Sequence, residues 1–529
     1  MFHQQILEAQ GLFSKIAFAL SIPLLFGFWR LLLRRREAQR LEAKFAIEHR
    51  CQPPPILKGK WPLSLDLLVE VGKADKAKQI LRFFISVLER AGSTHAQLLL
   101  GSRAINTVDP ENIEAILSTQ FKDFSLGARE QNFRPLLGHG IFTQNGASWK
   151  YSRDLLRPIF NHQRTEYFTY IQSAVDNLLA RVKEDSKQGF VDLQPLFFLL
   201  TLDVTTAAIL GKSTNSLQDQ GGKIGLQFAS AFDEGQHYLA IRGRLGDFYW
   251  VVGGKKFKGA CNFVHGFVDK IVADTLAQEA LSNNEESVKE GYLFIDALIR
   301  QTKDAKVIRD QLVNVLLAGR DTTACLLSWA FRLLARHPDV QQRLRVECLE
   351  LSSYQDGDLP TKEELKGMKY LGRVIHEVLR LYPSVPINMR QALKDTVLPV
   401  GGGPDGKAPI LVRKGEAVSY CVYAMQRRKD LYGEDADEFR PDRWDPDQKD
   451  GRDLRHINWG YLPFNGGPRV CLGQEFAILE ASYAIVRLLQ TYKMIELADE
   501  ETPDQQAHPK HTITLVVASA NGCKVRLVS

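Results

Sequence analysis

The amino-acid sequence predicts a mostly α-helical protein with small β-sheets and a single membrane-spanning helix at its N-terminus. Amphipathic patterns with helical periodicity are long and dominate the chain; the clearest cover residues 161–187, 306–337 and 362–382. Strand-like runs are short and few; the clearest cover residues 96–100, 417–423 and 513–518. An Asn521-Gly522 turn and the segment CKVRLV follow the last run, which predicts a β-hairpin there.

The third observation is the apolar run of residues 16–33, IAFALSIPLLFGFWRLLL, which is long enough, at the lower limit, to cross a bilayer. Arginines occupy positions 34–36 directly after it, and basic residues on that flank predict that this side is cytoplasmic. A cleaved signal peptide would instead carry its basic residues before the run and a small-residue cleavage site after it. Residues 1–33 are therefore predicted to be a tail and an uncleaved anchor, with a re-entrant or surface helix as the alternative.

Residues 34–60 are predicted to be a basic and proline-rich linker. Residues 34–50 are charged and helical in pattern, and the three prolines at positions 53–55 impose an extended, stiff chain. Residues 61–529 then carry the alternating helical and turn patterns of the main domain.

Composition excludes several classes of function. The chain has 529 residues, enough for a large buried core in one domain or several. Its formal charge of +6, from 68 basic and 62 acidic residues, is too mild to indicate nucleic-acid binding. The seven cysteines are scattered and never spaced CxxC, which argues against a disulfide framework and a zinc ribbon and favours a reducing compartment.

The stretch FNGGPRVCLGQEF, residues 464–476, places one cysteine, Cys471, among glycines just before an apolar helical pattern. A cysteine in such a place is commonly a small buried hydrophobic residue. Here the glycines permit a tight loop whose amides can point at the sulfur, and the helix start stabilises negative charge, so the loop favours a thiolate that can bind a metal. Arg469 is placed to pair with an acidic cofactor group, and Phe464 can shield the sulfur from water.

Phe464, Gly467, Arg469, Cys471 and Gly473 form FxxGxRxCxG, which resembles the haem-binding loop of the cytochrome P450 haem-thiolate monooxygenases. The resemblance covers the chain from the proline-rich linker to the C-terminus. It implies the cytochrome P450 fold, haem b bound through a Cys471–iron bond, and O2 as co-substrate. Phe464, Arg469 and Gly473 would also contact the haem.

The stretch HEVLRLYPSVP places Glu377 and Arg380 three residues apart, on one face of a helix. A buried pair of this kind needs a further partner to satisfy its charges, whereas an isolated surface pair would contribute little to stability. In the family that partner matches Arg443 of FRPDRW. The resemblance implies that the three residues form a structural triad near the haem and take no part in catalysis.

The stretch LLAGRDTTA, residues 316–324, puts an acid and two threonines inside a long helical pattern. Threonine hydroxyls can divert helix hydrogen bonds, so we expect a local distortion with a water-lined groove; an exposed charged turn of helix is the alternative. By resemblance, Asp321 and Thr322 are the catalytic residues that relay protons toward dioxygen. Ala318 and Gly319 would leave room for dioxygen above the haem.

Trp149 and Arg153 in WKYSR, and Arg390 in VPINMRQA, match family positions that contact the haem propionates. Each alone could be an ordinary surface or packing residue. Together with Arg469 they would supply the fixed cations that a buried dicarboxylate needs.

Longer stretches, such as FDEGQHYLAIRGRLGDFYW at residues 232–250, resemble the fungal branch that hydroxylates alkanes and fatty acids. This implies terminal hydroxylation of a long aliphatic chain, which needs a narrow apolar channel that presents only the chain end. The candidate wall residues, which periodicity alone would assign to the core, are Val313, Leu317, Val385, Ile387 and Val516. Gln426 in place of a common histidine and Asp442 in place of a glutamate leave the placement within the family open.

No second cofactor module is recognisable in the sequence, so electrons must come from a separate protein. The resemblance implies an NADPH-cytochrome P450 reductase in the same endoplasmic reticulum membrane, and a lipophilic substrate. Arg452 and Arg455 could add positive charge to the docking face, with ordinary solvated arginines as the alternative.

Two alternative functions stay open at this point. The first keeps the chemistry and changes the substrate, as a tailoring monooxygenase of a fungal secondary-metabolite pathway that acts on a polyketide or fatty-acyl intermediate. The second is a haem-binding protein without turnover, or a haem-thiolate isomerase that needs no external electrons. The intact Asp321-Thr322 pair argues against the second, and dependence of activity on a reductase separates the two.

Overall fold

The computed structural model describes residues 26–528, apart from positions 28, 31, 35, 162–164, 219–221, 282–293, 448–452, 499–500, 503–504 and 507. Residues 16–25 of the predicted anchor and Arg452 therefore lie outside the described residues, as does the side chain of Arg455. Residues 36–48 form a helix, α1, as the charged pattern of the linker predicts.

Helices dominate the fold and, after α1, they are α2 Leu65–Lys76, α3 Ile80–Ala91, α4 Pro110–Glu114, α5 Arg129–Leu137, α6 Gly146–Asn161, α7 Thr165–Asp185, α8 Leu193–Leu210, α9 Gly222–Leu245, α10 Lys255–Leu281, α11 Phe294–Gln301, α12 Ala305–Arg336, α13 Pro338–Leu349, α14 Ser352–Gln355, α15 Lys362–Gly367, α16 Lys369–Leu381, α17 Val422–Met425, α18 Lys429–Tyr432 and α19 Gln474–Thr491.

The strands are short and they are β1 Ile56–Leu57, β2 Thr94–Leu99, β3 Ser102–Thr107, β4 Phe124–Ser125, β5 Val191–Asp192, β6 Ile387–Ala392, β7 Thr396–Gly402, β8 Ala408–Val412, β9 Ala417–Cys421, β10 Met494–Leu497, β11 His511–Ile513, β12 Val517–Ser519 and β13 Lys524–Val528. They form a six-stranded sheet in the order β1-β2-β3-β9-β6-β4, a three-stranded sheet β10-β13-β5, and the pairs β11-β12 and β7-β8. The mostly helical class with small sheets is confirmed.

Three of the predicted elements are wrong in detail. The strand predicted over 513–518 is interrupted, because β11 ends at Ile513 and β12 begins at Val517. The single helix predicted over 362–382 is two helices, because Met368 adopts extended backbone (φ −71°, ψ 100°) between α15 and α16. The hairpin predicted across Asn521-Gly522 does not form, because β12 pairs with β11 before it and β13 pairs with β10 and β5. The end of the predicted linker already contacts two sheets: β1 pairs with β2 of the six-stranded sheet, and the Gln52 amide donates to the Pro409 carbonyl of β8 at 2.8 Å.

Two apolar clusters form the core, and α12 passes through both. Residues of α12 up to Leu317 belong to one cluster and those from Ala324 onward belong to the other. Residues 318–323, which include Arg320, Asp321 and two threonines, therefore lie at the junction of the two clusters. Among the described helices, α8 is long and apolar enough to span a membrane, but 78% of it is buried inside the protein and it packs on α12.

Candidate active site

The loop that carries Cys471 is held by backbone hydrogen bonds and one required glycine. The Cys471 amide donates to the Phe464 carbonyl at 3.0 Å, and Arg153 of α6 donates to the Val470 carbonyl at 3.0 Å. Gly467 has φ +64°, and a Cβ there would clash with the Leu117 carbonyl oxygen. Residue 467 must therefore be glycine for the loop to lie against the helical turn that contains Leu117.

All seven cysteines lie in the described part of the chain, and Cys471 differs from the other six in its exposure to solvent. It alone is exposed, while the others are buried or half-buried and none forms a disulfide. Dense packing around its sulfur raises the pKa of the thiol, whereas the Gly473 amide and the Arg153 guanidinium act in the opposite direction. A metal ion at the open side would supply the missing stabilisation, because a coordinating thiol is deprotonated.

Four arginines gather near this loop. Arg469 stacks on Trp149 with its Cζ atom 4.3 Å from the ring centroid and donates to the Gln144 carbonyl at 2.9 Å. Arg390 of β6 and Arg129 at the start of α5 both donate to the side-chain oxygen of Asn388, at 3.1 and 2.5 Å. The structure thus brings together Trp149, Arg153, Arg390 and Arg469, as predicted, and adds Arg129, which the sequence analysis missed.

These cations repel one another, and none of them forms an ion pair with an acidic side chain among the described residues. Burial, and then repulsion from Arg390, lowers the pKa of Arg129 to about 10. Burial, and then repulsion from Arg390, Arg129 and Arg153, lowers the pKa of Arg469 to about 9. Arg390 is 3% exposed, and within the described residues its Nε has no hydrogen-bond partner.

A bound dianion would relieve this repulsion and satisfy the orphaned donor. The propionates of a haem whose iron is bound at Cys471 have that charge, so the residues present fit the group.

The hydroxyl-rich stretch of α12 does not show the local helix distortion that the sequence predicts. Hydroxyls donate to its carbonyls: Thr322 to Ala318 at 2.8 Å, Thr201 to Arg320 at 2.7 Å, and Ser384 to Thr322 at 2.9 Å. The helix nevertheless continues unbroken through the stretch. The helix axis is therefore not broken as expected, and the effect of the hydroxyls is limited to their hydrogen bonds with the α12 carbonyls.

Gly319 lies against α8. A Cβ there would lie 2.6 Å from the hydroxyl oxygen of Thr205 on α8. Glycine at this position lets α8 and α12 approach each other closely, a packing role that the sequence analysis did not anticipate. Ala318 is half-buried.

Asp321 is a buried carboxyl with an unusual pKa. It is 3% exposed, and Arg320 donates to its Oδ1 at 3.0 Å. Burial raises its pKa to about 6, against the opposing charge of Arg320. Asp321 can therefore exchange a proton near neutral pH.

Glu377, Arg380 and Arg443 form the predicted triad of contacts. Arg380 Nε lies 2.8 Å from Glu377 Oε2, and Arg443 Nε lies 2.8 Å from Glu377 Oε1. The carboxylate also accepts from the Arg440 amide at 2.9 Å and from Trp444 Nε1 at 3.0 Å. Burial opposes ionisation, but these donors hold the pKa of Glu377 below its usual range.

The two departures from the family pattern have structural roles. The Gln426 amide donates to the Leu379 and Arg380 carbonyls at 3.0 and 2.8 Å, and its oxygen accepts from the Leu462 amide at 2.8 Å. It thereby ties the end of α16 to the chain that leads to Cys471. Asp442 accepts two hydrogen bonds of 2.9 Å from Arg343.

The candidate wall residues lie in different parts of the fold. Val313 and Leu317 are buried in the apolar cluster around the first half of α12. Ile387 lines a separate cavity beside α2 and α3, together with Leu67 and Phe84. Val516 is buried and Val385 is 39% exposed. The α12 residues are the ones that share a helix with Asp321.

A thiol open on one side, buried cations for a dianion and a proton-exchanging carboxyl define a haem-thiolate oxidoreductase. The chain matches the family Cytochrome P450 over residues 60–521. It is 50% identical to a cytochrome P450 of Arthroderma benhamiae, covering 94% of this chain and 96% of the relative. It is 42% identical to cytochrome P450 monooxygenase g430 of a Fusarium species, with coverages of 92% and 86%. It is 44% identical to cytochrome P450 52A5 of Candida maltosa, with coverages of 80% and 81%.

The chain therefore belongs to the cytochrome P450 family and is a cytochrome P450 monooxygenase. Membership confirms the predicted family and enzyme class, and implies a haem iron and the use of O2.

Proposed function

We propose that this protein is a membrane-anchored monooxygenase of the endoplasmic reticulum that hydroxylates the terminal carbon of fatty acids or alkanes. The class of reaction is carried by one observation: the single exposed cysteine lies in a glycine loop beside arginines that form no ion pair with an acidic side chain in the described part of the chain. The substrate class is supported by the resemblance of long stretches to the fungal aliphatic hydroxylases, and by the relatives named cytochrome P450 52.

The residues of the site divide the work. Cys471 would hold the haem iron, and Arg129, Arg153, Arg390 and Arg469 would hold the propionates, with Trp149 packed against Arg469. Phe464 and Gly473 flank the ligand on either side in the loop. When bound, the haem supplies the activation of O2 for insertion into a C–H bond.

The reaction balances with external electrons and protons. One oxygen atom of O2 enters the C–H bond and the other leaves as water, which consumes two electrons and two protons. The electrons come from NADPH through a flavin reductase in the same membrane. The protons pass through Asp321, whose pKa of about 6 suits exchange near neutrality, and Thr322, whose hydroxyl now donates to the Ala318 carbonyl.

Attack on a chain end requires that the apolar residues above the site exclude both water and the inner methylenes. Leu317 and Val313 lie about one and two helical turns before Asp321 on α12, and both are buried. They are therefore the wall residues nearest in sequence to the proton relay, and enlarging either side chain is expected to shorten the accepted chain.

The test is incubation of the full chain in microsomes with a fungal reductase and NADPH, using a mixture of alkanes, fatty acids and a fungal metabolite extract, scored by mass spectrometry. Terminal alcohols that disappear in Cys471→Ala but persist in Cys51→Ala are expected. Cys51 is the matched control, because it is a free cysteine remote from the loop. Product from the metabolite extract alone would instead indicate the tailoring function, and activity without reductase would contradict the proposal.

A further inference from the structure

Asp233 lies outside every motif of the active site, within the long α9 stretch FDEGQHYLAIRGRLGDFYW. Its Oδ1 atom is 2.6 Å from Arg320 Nη1. The same Nη1 atom is 3.0 Å from Oδ1 of Asp321. One guanidinium nitrogen therefore joins the buried carboxyl of α12 to a carboxylate on α9.

The two carboxylates differ in their access to water. The side chain of Asp321 is 4% exposed and that of Arg320 is 3% exposed, whereas the side chain of Asp233 is 59% exposed. The Arg320 guanidinium lies 5.1 and 5.9 Å from the ring centroids of Phe198 and Phe232. Because these rings confine it, Arg320 cannot turn toward one carboxylate without weakening its bond to the other.

The titratable and hydrogen-bonding side chains that act on the Asp321 carboxyl come from α12 and α9. From α12 they are Arg320 and the Cys325 thiol, which burial keeps neutral by raising its pKa. From α9 they are Asp233 and the Gln236 amide. The packed face of α8 contributes the Thr201 hydroxyl, which is bound to the Arg320 carbonyl.

We propose that Asp233 is a positioning residue for proton delivery: by sharing Arg320 it prevents an exclusive ion pair between Arg320 and Asp321. The proposal rests on the proposed role of Asp321 as a proton relay. Asp233 touches neither substrate nor cofactor and acts only through Arg320.

Removing the charge of Asp233 has a definite electrostatic consequence. The negative charge of Asp233 raises the pKa of Asp321, and the positive charge of Arg320 lowers it. In Asp233→Asn the guanidinium is left to Asp321, so Asp321 loses its proton more readily and is held more tightly. Because Asp233 is largely exposed, water screens its charge. Removing that charge is expected to lower the pKa of Asp321 by on the order of one pH unit.

The experiment compares Asp233→Asn, the conservative Asp233→Glu and the matched control Glu234→Gln in the reconstituted full chain. Glu234 is the next residue of α9, and its carboxylate pairs with Lys256 at 2.9 Å and not with Arg320. The readouts are product formed per NADPH consumed across pH, and the infrared stretch of the protonated Asp321 carboxyl, assigned by its loss in Asp321→Asn.

In Asp233→Asn the infrared titration is expected to move to lower pH, and product per NADPH at neutral pH to fall several-fold. Asp233→Glu is expected to restore both, and Glu234→Gln to change neither. An unshifted titration with unchanged coupling in Asp233→Asn would overturn the proposal. A drop in haem content or thermal stability without a shift in titration would also overturn it, since that pattern reports a purely structural residue. If Asp321→Asn itself stays fully coupled, the proton relay fails separately, whatever Asp233 does.

Discussion

Removal of the Glu377 charge is expected to remove a large part of the stability of the protein. Glu377 is fully buried and accepts hydrogen bonds from two arginine side chains, one tryptophan and one backbone amide. In Glu377→Gln the shape is kept, but Arg380, at 0% exposure, loses its carboxylate partner, and Arg443, at 5%, keeps its longer contact of 3.2 Å to Asp435. Breaking a buried ion pair on one side typically costs about 3–5 kcal/mol, out of a total stability of about 5–15 kcal/mol.

Chemical denaturation of the native chain and the variant at equal haem loading measures this loss. The matched control is Glu434→Gln, because Glu434 pairs with Lys429 at 2.9 Å on the surface with 88% of its side chain exposed. The control is expected to unfold at the same denaturant concentration as the native chain. A change for Glu377→Gln no larger than that of the control would refute the assignment of the triad as a stabilising element.

The sign of the pH dependence gives a second check on the same residue. The folded state lowers the pKa of Glu377, so the stabilisation is present above the unfolded pKa and is lost as pH falls through the folded pKa. The stability difference between the native chain and Glu377→Gln should therefore shrink on acidification.

Three further outcomes follow from other parts of the structure. Arg129→Gln should stabilise the haem-free protein by relieving repulsion of Arg469, yet weaken haem retention by about tenfold. Thermal unfolding without haem measures the stability, and haem transfer to apomyoglobin measures the retention. A variant that is both more stable and retains haem better, or is worse in both, would contradict the propionate role. Burial raises the pKa of Glu480 well above its usual range, so the folded protein loses stability as the pH rises above the pKa that Glu480 has in the unfolded chain. The gain in unfolding free energy from Glu480→Gln, relative to the native chain, should therefore be larger at about pH 8 than at about pH 5. Parallel pH profiles of the two proteins would count against a neutral Glu480. Gly467→Ala should lose haem incorporation, whereas Gly372→Ala, in α16 and outside the loop, should keep it because the added Cβ meets no described atom within 4 Å; equal haem content in both would contradict the steric requirement.

Local patterns were sufficient to predict the motif residues and the fold class. The Cys471 loop is contiguous, and Glu377 with Arg380 is fixed by helical spacing, so both follow from sequence order. The helical class follows from periodicity over long windows, as for α12, predicted over 306–337 and observed over Ala305–Arg336.

Contacts between distant segments were not predictable in this way. Arg129 joins the arginine cluster only because β6 brings Asn388 beside the start of α5. The role of Gly319 depends on Thr205 of another helix. The pairing of β13 with β10 and β5 overrides a locally attractive turn signal, because the partners lie elsewhere in the chain.

The assignment of Cys471 as the haem ligand is tested most directly by the absorption spectrum of the reduced, carbon-monoxide-bound holoprotein. The native chain and Cys51→Ser are expected to show the spectrum of thiolate-ligated haem, and Cys471→Ser is expected to lose it while still folding. Retention of the thiolate spectrum in Cys471→Ser would contradict the assignment and, with it, the proposed active site.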